Sequence, residues 1–226
     1  MKGYFTKGEL ALWGGSVGLI LLSFALFDRE SWLTLAASLI GVTSLIFNAK
    51  GNPMGQLLMV VFSLLYGVIS WSFAYYGEMI TYLGMTMPMA VVALVSWLRH
   101  PYKGNRAEVQ VDRLAKGEWA LMTLLTAAVT AGFYVVLAYF HTANLQLSTL
   151  SVTTSFVAVY LTFRRSPLFA LAYAANDVIL ILLWILASAS HVRYISVTVC
   201  FIAFLANDIY GYISWRRMKI RQAAHP

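Results

Sequence analysis

The stretch NAKGNPMGQLLMVVFSLLYGVISW, residues 48–71, decides the fold. It opens on Asn48-Ala49-Lys50-Gly51-Asn52-Pro53, a turn built from Gly, Asn and Pro with one cation. From Met54 no charge appears until Glu78. That uncharged run exceeds the roughly 20 residues a helix needs to cross about 30 Å of hydrocarbon. In lipid the backbone must satisfy its own hydrogen bonds, so the run reads as a membrane helix. Pro53 falls in its first turn, where a missing N–H costs nothing. The same grammar recurs at Arg164-Arg165-Ser166-Pro167, which opens a second such run.

Working outward, eight runs emerge, at about 8–27, 31–47, 54–75, 79–98, 117–140, 147–163, 168–188 and 194–215. The 226-residue chain is 60% hydrophobic and only 11% charged, against about 25% charged in a soluble domain. The charges gather between the runs, and residues 99–116 form the longest polar stretch, read as a linker. The short alternating strands of a barrel are missing. The predicted fold is an all-α polytopic membrane protein of eight transmembrane helices, forming one integral domain.

Orientation follows from the cations. With eight spans and the N-terminus inside, the inner segments hold fourteen of the sixteen Lys and Arg, and the outer loops hold only Arg29 and Arg193. That asymmetry orients membrane helices. Both termini are therefore placed in the cytoplasm of a bacterial cell with the chain in its inner membrane. The net charge of +7 belongs to helix ends beside membrane lipid, and no nucleic-acid partner is expected. Cys200 stands alone in an apolar run, and His100, His141, His191 and His225 show no ligand spacing, so neither a metal nor a cofactor is expected. The first run ends in Phe27-Asp28-Arg29-Glu30 without a small-residue cleavage site, and reads as a retained helix rather than a signal peptide.

Two segments look alike. Residues 48–97 give two spans ending in Val95-Ser96-Trp97-Leu98-Arg99, and residues 162–216 give two ending in Ile213-Ser214-Trp215-Arg216-Arg217. Pro53 and Pro167 are 114 residues apart, and Trp97 and Trp215 are 118 apart. Adding the preceding helix to each divides the chain into an extra helix (8–27), a three-helix repeat (31–98), a linker helix (117–140) and a second repeat (147–215). One intervening helix makes the halves parallel. This 3+1+3 arrangement is SWEET-like, and in such transporters the substrate sits at the midplane between the halves.

Polar groups at membrane depth are costly and point to function. In the third span Gln56, Met59, Ser63, Tyr66 and Ser70 are spaced 3, 4, 3, 4 and share one helix face. In the seventh, Tyr173, Asp177, Leu180 and Trp184 share a face, and the 114-residue offset sets Ser63 opposite Asp177 and Ser70 opposite Trp184. Asn176 borders that face. The last span adds Asn207 and Tyr210, on one face by their spacing of three, with Asp208 nearer the cytoplasmic end. The expected substrate-binding set is Ser63, Tyr66, Tyr173, Asn176, Asp177, Trp184, Asn207 and Tyr210. Asp177 reads as a solute contact, a proton relay or a structural partner of a backbone group. Asp208 is expected to be gating or structural, with a smaller effect when neutralised. Glu78 at the outer edge reads as a gate, a loop-ordering group or a solvated acid. Trp97 and Trp215, beside Arg at the cytoplasmic boundary, are expected to anchor in the headgroup belt, and Trp184 fits belt or site.

Asn48-Ala49-Lys50-Gly51-Asn52, then Leu65-Tyr66-Gly67-Val68-Ile69-Ser70-Trp71, Tyr76-Gly77-Glu78-Met79, Pro88-Met89 and Trp97 resemble the pattern of the nicotinamide riboside transporters (PnuC-type vitamin transporters). The resemblance covers about residues 30–217. It implies one solute site between two halves, facilitated diffusion of a vitamin-like nucleoside trapped inside by phosphorylation, and a homotrimer; relatives carry thiamine or riboflavin. By position it carries over Asn176, Asn207 and Tyr210. Three positions depart from the pattern: Phe169 and Ala172 where many members have Trp, and Ala90 where many have Gln. The resemblance implies that these positions touch the solute.

A flat cationic ring on a ribose fits the residues, because aromatic faces attract cations by about 0.5–2 kcal/mol and a carboxylate can offset the charge while accepting from hydroxyls. Thiamine is also a cation and fits equally. A membrane enzyme would need a metal set or a Ser–Lys pair at one depth, which the intramembrane amides, hydroxyls and two acids do not supply. A sensor would need a larger loop than any here.

Overall fold

The computed structural model describes residues 3–72 and 76–224, apart from the side chains of Ser72 and Tyr76. Residues 73–75 at the end of the expected third span, Lys2, His225 and the Tyr76 ring lie outside the described residues. Within them, eight helices are long and apolar enough to cross a membrane.

The first helix, α1 (Lys7–Phe27), starts on a capping box: Glu9 N–H donates to Thr6 Oγ1 at 3.2 Å and Thr6 N–H to Glu9 Oε2 at 2.6 Å. There follow α2 (Trp32–Ala49) and α3 (Pro53–Ser72), joined by the turn in which Gly51 takes φ +65°. The fourth span is interrupted: α4 (Tyr76–Thr81) passes through a π turn (Tyr82–Thr86) into α5 (Met87–Arg99). Pro88 explains the interruption. It lacks an N–H and its ring collides with the carbonyl four residues earlier, and the wider π turn relieves both. After the 99–116 segment come α6 (Lys116–Tyr139), α7 (Leu145–Phe163), α8 (Phe169–Ser188) and α9 (Ile195–Ala224). The 30 residues of α9 extend for about 45 Å, so its last turns, with Arg216, Arg217, Lys219 and Arg221, stand clear of the hydrocarbon.

Helices α2, α3 and α5 pack together, as do α7, α8 and α9, and these groups meet along α2–α9 and α5–α7. Helix α1 lies against α9 and α2, and α6 against α7. At the end carrying Trp97 and Trp215 the two groups close each other's helices. Trp97 Nε1 donates to the Thr162 carbonyl at 2.9 Å and Ser96 Oγ to that of Phe163 at 3.0 Å. In the other direction, Trp215 Nε1 donates to the Asn48 carbonyl and Ser214 Oγ to that of Ala49, both at 2.7 Å. The acceptors are carbonyls in the last turns of α7 and α2, where Thr162 O also accepts from Arg165 N–H at 3.0 Å and Asn48 O from Gly51 N–H at 2.9 Å. The two indoles meet at 5.3 Å between centroids and neither has any exposed surface. The expectation that they anchor in the headgroup belt is therefore corrected: their N–H groups are taken by buried helix-end carbonyls.

The 99–116 segment is also more than a linker. It holds a hairpin, β1 (Pro101–Tyr102) against β2 (Asn105–Val109), turning at Lys103 and Gly104 with φ of 49° and 77°. Positive φ at both turn residues suits a hairpin, and glycine adopts it without strain. Val109 N–H donates to Gly51 O at 2.9 Å, Val111 N–H to Gln222 Oε1 at 2.8 Å, and Asp112 N–H to Arg165 O at 3.1 Å. Asp112 also accepts from the Arg165 guanidinium at 2.9 Å. Burial pushes the Asp112 carboxyl up, but the Arg113 amide and the guanidinium groups of Arg165 and Arg164 outweigh it and hold the group below its usual range. The segment thus fastens both Pro-led turns and the end of α9 together.

Candidate functional site

The inward faces read from the sequence are inward except at Tyr173, which is half-buried and packs against Phe169 at 6.2 Å. Gln56, Met59, Ser63, Tyr66 and Ser70 on α3 and Asp177, Leu180 and Trp184 on α8 are all buried. Tyr66 is the hub of an aromatic cluster spanning α3, the π turn, α8 and α9. Its ring lies 4.4 Å from Tyr82, 5.6 Å from Phe62, 6.1 Å from Phe201 and 6.4 Å from Trp184. Phe204 joins through Phe62 and Phe201, at 5.6 Å from each. The close approach of α2 rests on one glycine: a Cβ at Gly41 would stand 2.3 Å from Phe204 Cζ and 3.0 Å from Phe62.

Against this cluster lie two acids. Asp177 on α8 and Asp208 on α9 are both buried, and their carboxyl groups face each other. Asp177 is also electrostatically close to Tyr82, Tyr173 and Cys200, and Asp208 to Tyr173. Asp208, expected to stand apart near one end, therefore joins Asp177. Among the described residues, one oxygen of Asp177, Oδ2, has no hydrogen-bond partner, and neither do Ser63 Oγ and Ser70 Oγ. Buried polar atoms without partners are uncommon enough to need a reason, and here they share the inward faces of α3 and α8.

The other expected site residues divide. Asn176 turns its amide oxygen to α7, accepting from Thr154 at 2.9 Å, Ser155 at 3.0 Å and Ser151 at 3.4 Å. Asn207 and Tyr210 face α1 rather than the acid pair. Asn207 Nδ2 donates to Ser16 Oγ at 2.9 Å and Tyr210 OH to Glu9 Oε1 at 2.8 Å, and Glu9 is in turn paired with Lys50 at 3.2 Å. A shared face was legible in their spacing, but the helix that covers it was not. Glu78 is no solvated loop acid: its Oε2 is enclosed, and its charge is felt at Tyr66 and Tyr82. It borders a cavity of about 170 Å³ with Thr142, Asn144, Ser148 and Trp184. Sequence reasoning missed Tyr82, Phe62, Phe201 and Phe204. Only Pro88 hinted that the fourth span loses helical register and turns Tyr82 inward.

Aromatic rings around two adjoining carboxyls, between helices that cross a membrane, suit a flat cationic solute carrying hydroxyl groups. Comparison with known proteins gives this arrangement its setting. Residues 31–217 match the family described as the nicotinamide mononucleotide transporters. This chain belongs to that family. The nicotinamide riboside transporter PnuC of Neisseria mucosa is 29% identical over 205 residues, covering 87% of this chain and 76% of the relative. The PnuC of Haemophilus influenzae is 22% identical over 190 residues, covering 84% and 81%. A crystal structure of the vitamin B3 transporter PnuC superposes with a TM-score of 0.84 at 25% identity, covering 97% of this chain and 95% of that one.

As a nicotinamide mononucleotide transporter family member, the chain is a multi-pass membrane transporter and not an enzyme. The positions that depart from the family pattern have clear surroundings. Phe169 packs against Trp215 at 4.8 Å and Trp97 at 6.3 Å, and Ala172 belongs to the same packed region. Both belong with the indole pair rather than with the aromatic cluster around Tyr66. Ala90 is buried among the residues of that cluster.

Proposed function

We propose that this transporter takes up nicotinamide riboside by facilitated diffusion, and that phosphorylation inside the cell traps the solute. The carrying observation is the juxtaposition of Asp177 and Asp208 with the Tyr66–Tyr82–Trp184 cluster at membrane depth. The names of the two relatives support the same solute. Asp177, Asp208, Tyr173, Tyr66, Ser63 and Trp184 form the solute site, with Tyr82 as an added wall. The amide of Asn176 reaches it from the α7 side, with its oxygen already used, and Glu78 gates the outer end. Asn207 and Tyr210 act one layer out, by fixing α9 against α1.

In this reading residues 31–98 and 147–215 are two parallel three-helix repeats joined by the helix 117–140, with 8–27 as an addition. The reciprocal Ser–Trp bonds support it: Trp97 and Trp215, Ser96 and Ser214, and their acceptors Asn48 and Thr162 fall at the offsets of 118 and 114 residues. The charge asymmetry supports an inner-membrane location with both termini in the cytoplasm, and the family resemblance supports a homotrimer. Titrating nicotinamide riboside into the purified protein, with thiamine, riboflavin and nucleosides as competitors, tests the solute. Saturable binding displaced by none of the others is expected, and binding of thiamine alone would move the reading to that vitamin.

A second reading is favoured by the facing carboxyls. Two acids side by side away from water favour sharing a proton, which would let Asp177 couple uptake to a proton gradient. Accumulation driven by an imposed pH difference would support it, and rates indifferent to that difference would remove it.

A further inference from the structure

A cavity of about 710 Å³ opens at the end of the molecule where α9 leaves the hydrocarbon. Its lining carries three cations, Arg113, Arg216 and Lys219, and one acid, Asp112. The acid is committed elsewhere, to Arg165 at 2.9 Å and Arg164 at 3.7 Å. Arg216 lies over the Tyr212 ring at 5.8 Å, and among the described residues none of the three cations has a carboxylate partner. Apart from Ser166, the remaining walls are mostly apolar. Trp119 and Ile220 are exposed, at 41% and 68%, and Leu168 lines the same cavity. On the Trp119 face of α6, Met122, Thr123 and Thr126 follow by three, four and seven residues, and with Thr153 and Val157 of α7 they line an open, mostly apolar groove of about 930 Å³.

We infer that this cavity is a binding site for one anionic phospholipid, its phosphate held by Arg113, Arg216 and Lys219 and an acyl chain running past Trp119 into the groove between α6 and α7. Three cations lining one cavity whose single acid is paired with Arg164 and Arg165 create a positive potential that a phosphate neutralises, and basic pockets between helices at a membrane boundary take acidic headgroups for this reason. The adjoining groove selects a lipid over a free anion, because a free phosphate would leave that groove unused. The inference does not depend on which solute is carried. It differs from a general preference for cations at one membrane face, in which any basic residue there would serve as well as another.

Thermal unfolding of the detergent-purified protein tests it, with phosphatidylglycerol, phosphatidylcholine or inorganic phosphate added in turn. The variants are Arg113→Gln/Arg216→Gln/Lys219→Gln together, and Arg106→Gln on the exposed hairpin as a control. Arg113 and Arg216 are exposed and Lys219 half-buried, so the triple variant folds, and its midpoint in phosphatidylcholine verifies this. Phosphatidylglycerol is expected to raise the midpoint of the wild type and of Arg106→Gln by on the order of 3 °C over phosphatidylcholine. The triple variant is expected to lose at least half of that rise. An equal rise in the triple variant overturns the site, and a full rise from inorganic phosphate alone overturns the lipid as its occupant.

Discussion

Asp177 and Asp208 stand 31 positions apart in the sequence, and the fold sets their carboxyl groups against each other. Because they form one anionic feature, each is expected to matter. Asp177→Asn and Asp208→Asn should each cut uptake by about tenfold or more, since a hydrogen bond to a charged group is worth about 1.5–3 kcal/mol. Folding should be retained, as a melting curve would register. Normal uptake by Asp208→Asn beside a dead Asp177→Asn would dissolve the pair. Gly41 gives a structural counterpart. Gly41→Val places atoms where Phe204 lies, 2.3 Å from the Cβ site, and should lower stability by about 1–3 kcal/mol, seen as a lower unfolding midpoint. An unchanged midpoint would mean that α2 yields easily there. The sequence made Ser63, Tyr66, Asp177 and Trp184 legible because helical periodicity assigns a face whatever packs against it. Tyr82 was hidden because the π turn breaks that periodicity. Asn207 and Tyr210 were misdirected because spacing cannot say which neighbour a face meets.

Among the elements, the turns between helices carry more of the architecture than their length suggests. Each of the two Pro-led turns follows a helix whose last carbonyls are taken by a Ser–Trp pair from the other half. Trp97→Phe and Trp215→Phe remove one of these bonds each, while Thr162 O keeps the Arg165 amide and Asn48 O the Gly51 amide, a cost of about 0.5–1.5 kcal/mol. If the halves are equivalent, the two variants should lower the unfolding midpoint by similar amounts. A large effect at one and none at the other would speak against the equivalence. The span positions were legible because length and charge decide them. The docking of residues 99–116 was not, because its bonds to Gly51, Arg165 and Gln222 join backbone and side chains distant in sequence. The same limit hid the use of the two indoles, since a Trp beside Arg at a helix end looks alike in either role.

Taken whole, the molecule is a membrane transporter whose polar and aromatic groups converge between two helix groups, and at the end carrying Trp97 and Trp215 those groups are latched together. If solute passes between the two groups, as proposed, that latch must open during uptake. Uptake of labelled nicotinamide riboside into proteoliposomes holding the pure protein, without ion gradients, tests the central claim most directly. The account predicts saturable entry in the wild type that stops at equal concentration inside and outside, with Asp177→Asn slower by about tenfold or more. Absence of entry in a folded, lipid-reconstituted wild type, or full entry through Asp177→Asn, would contradict it.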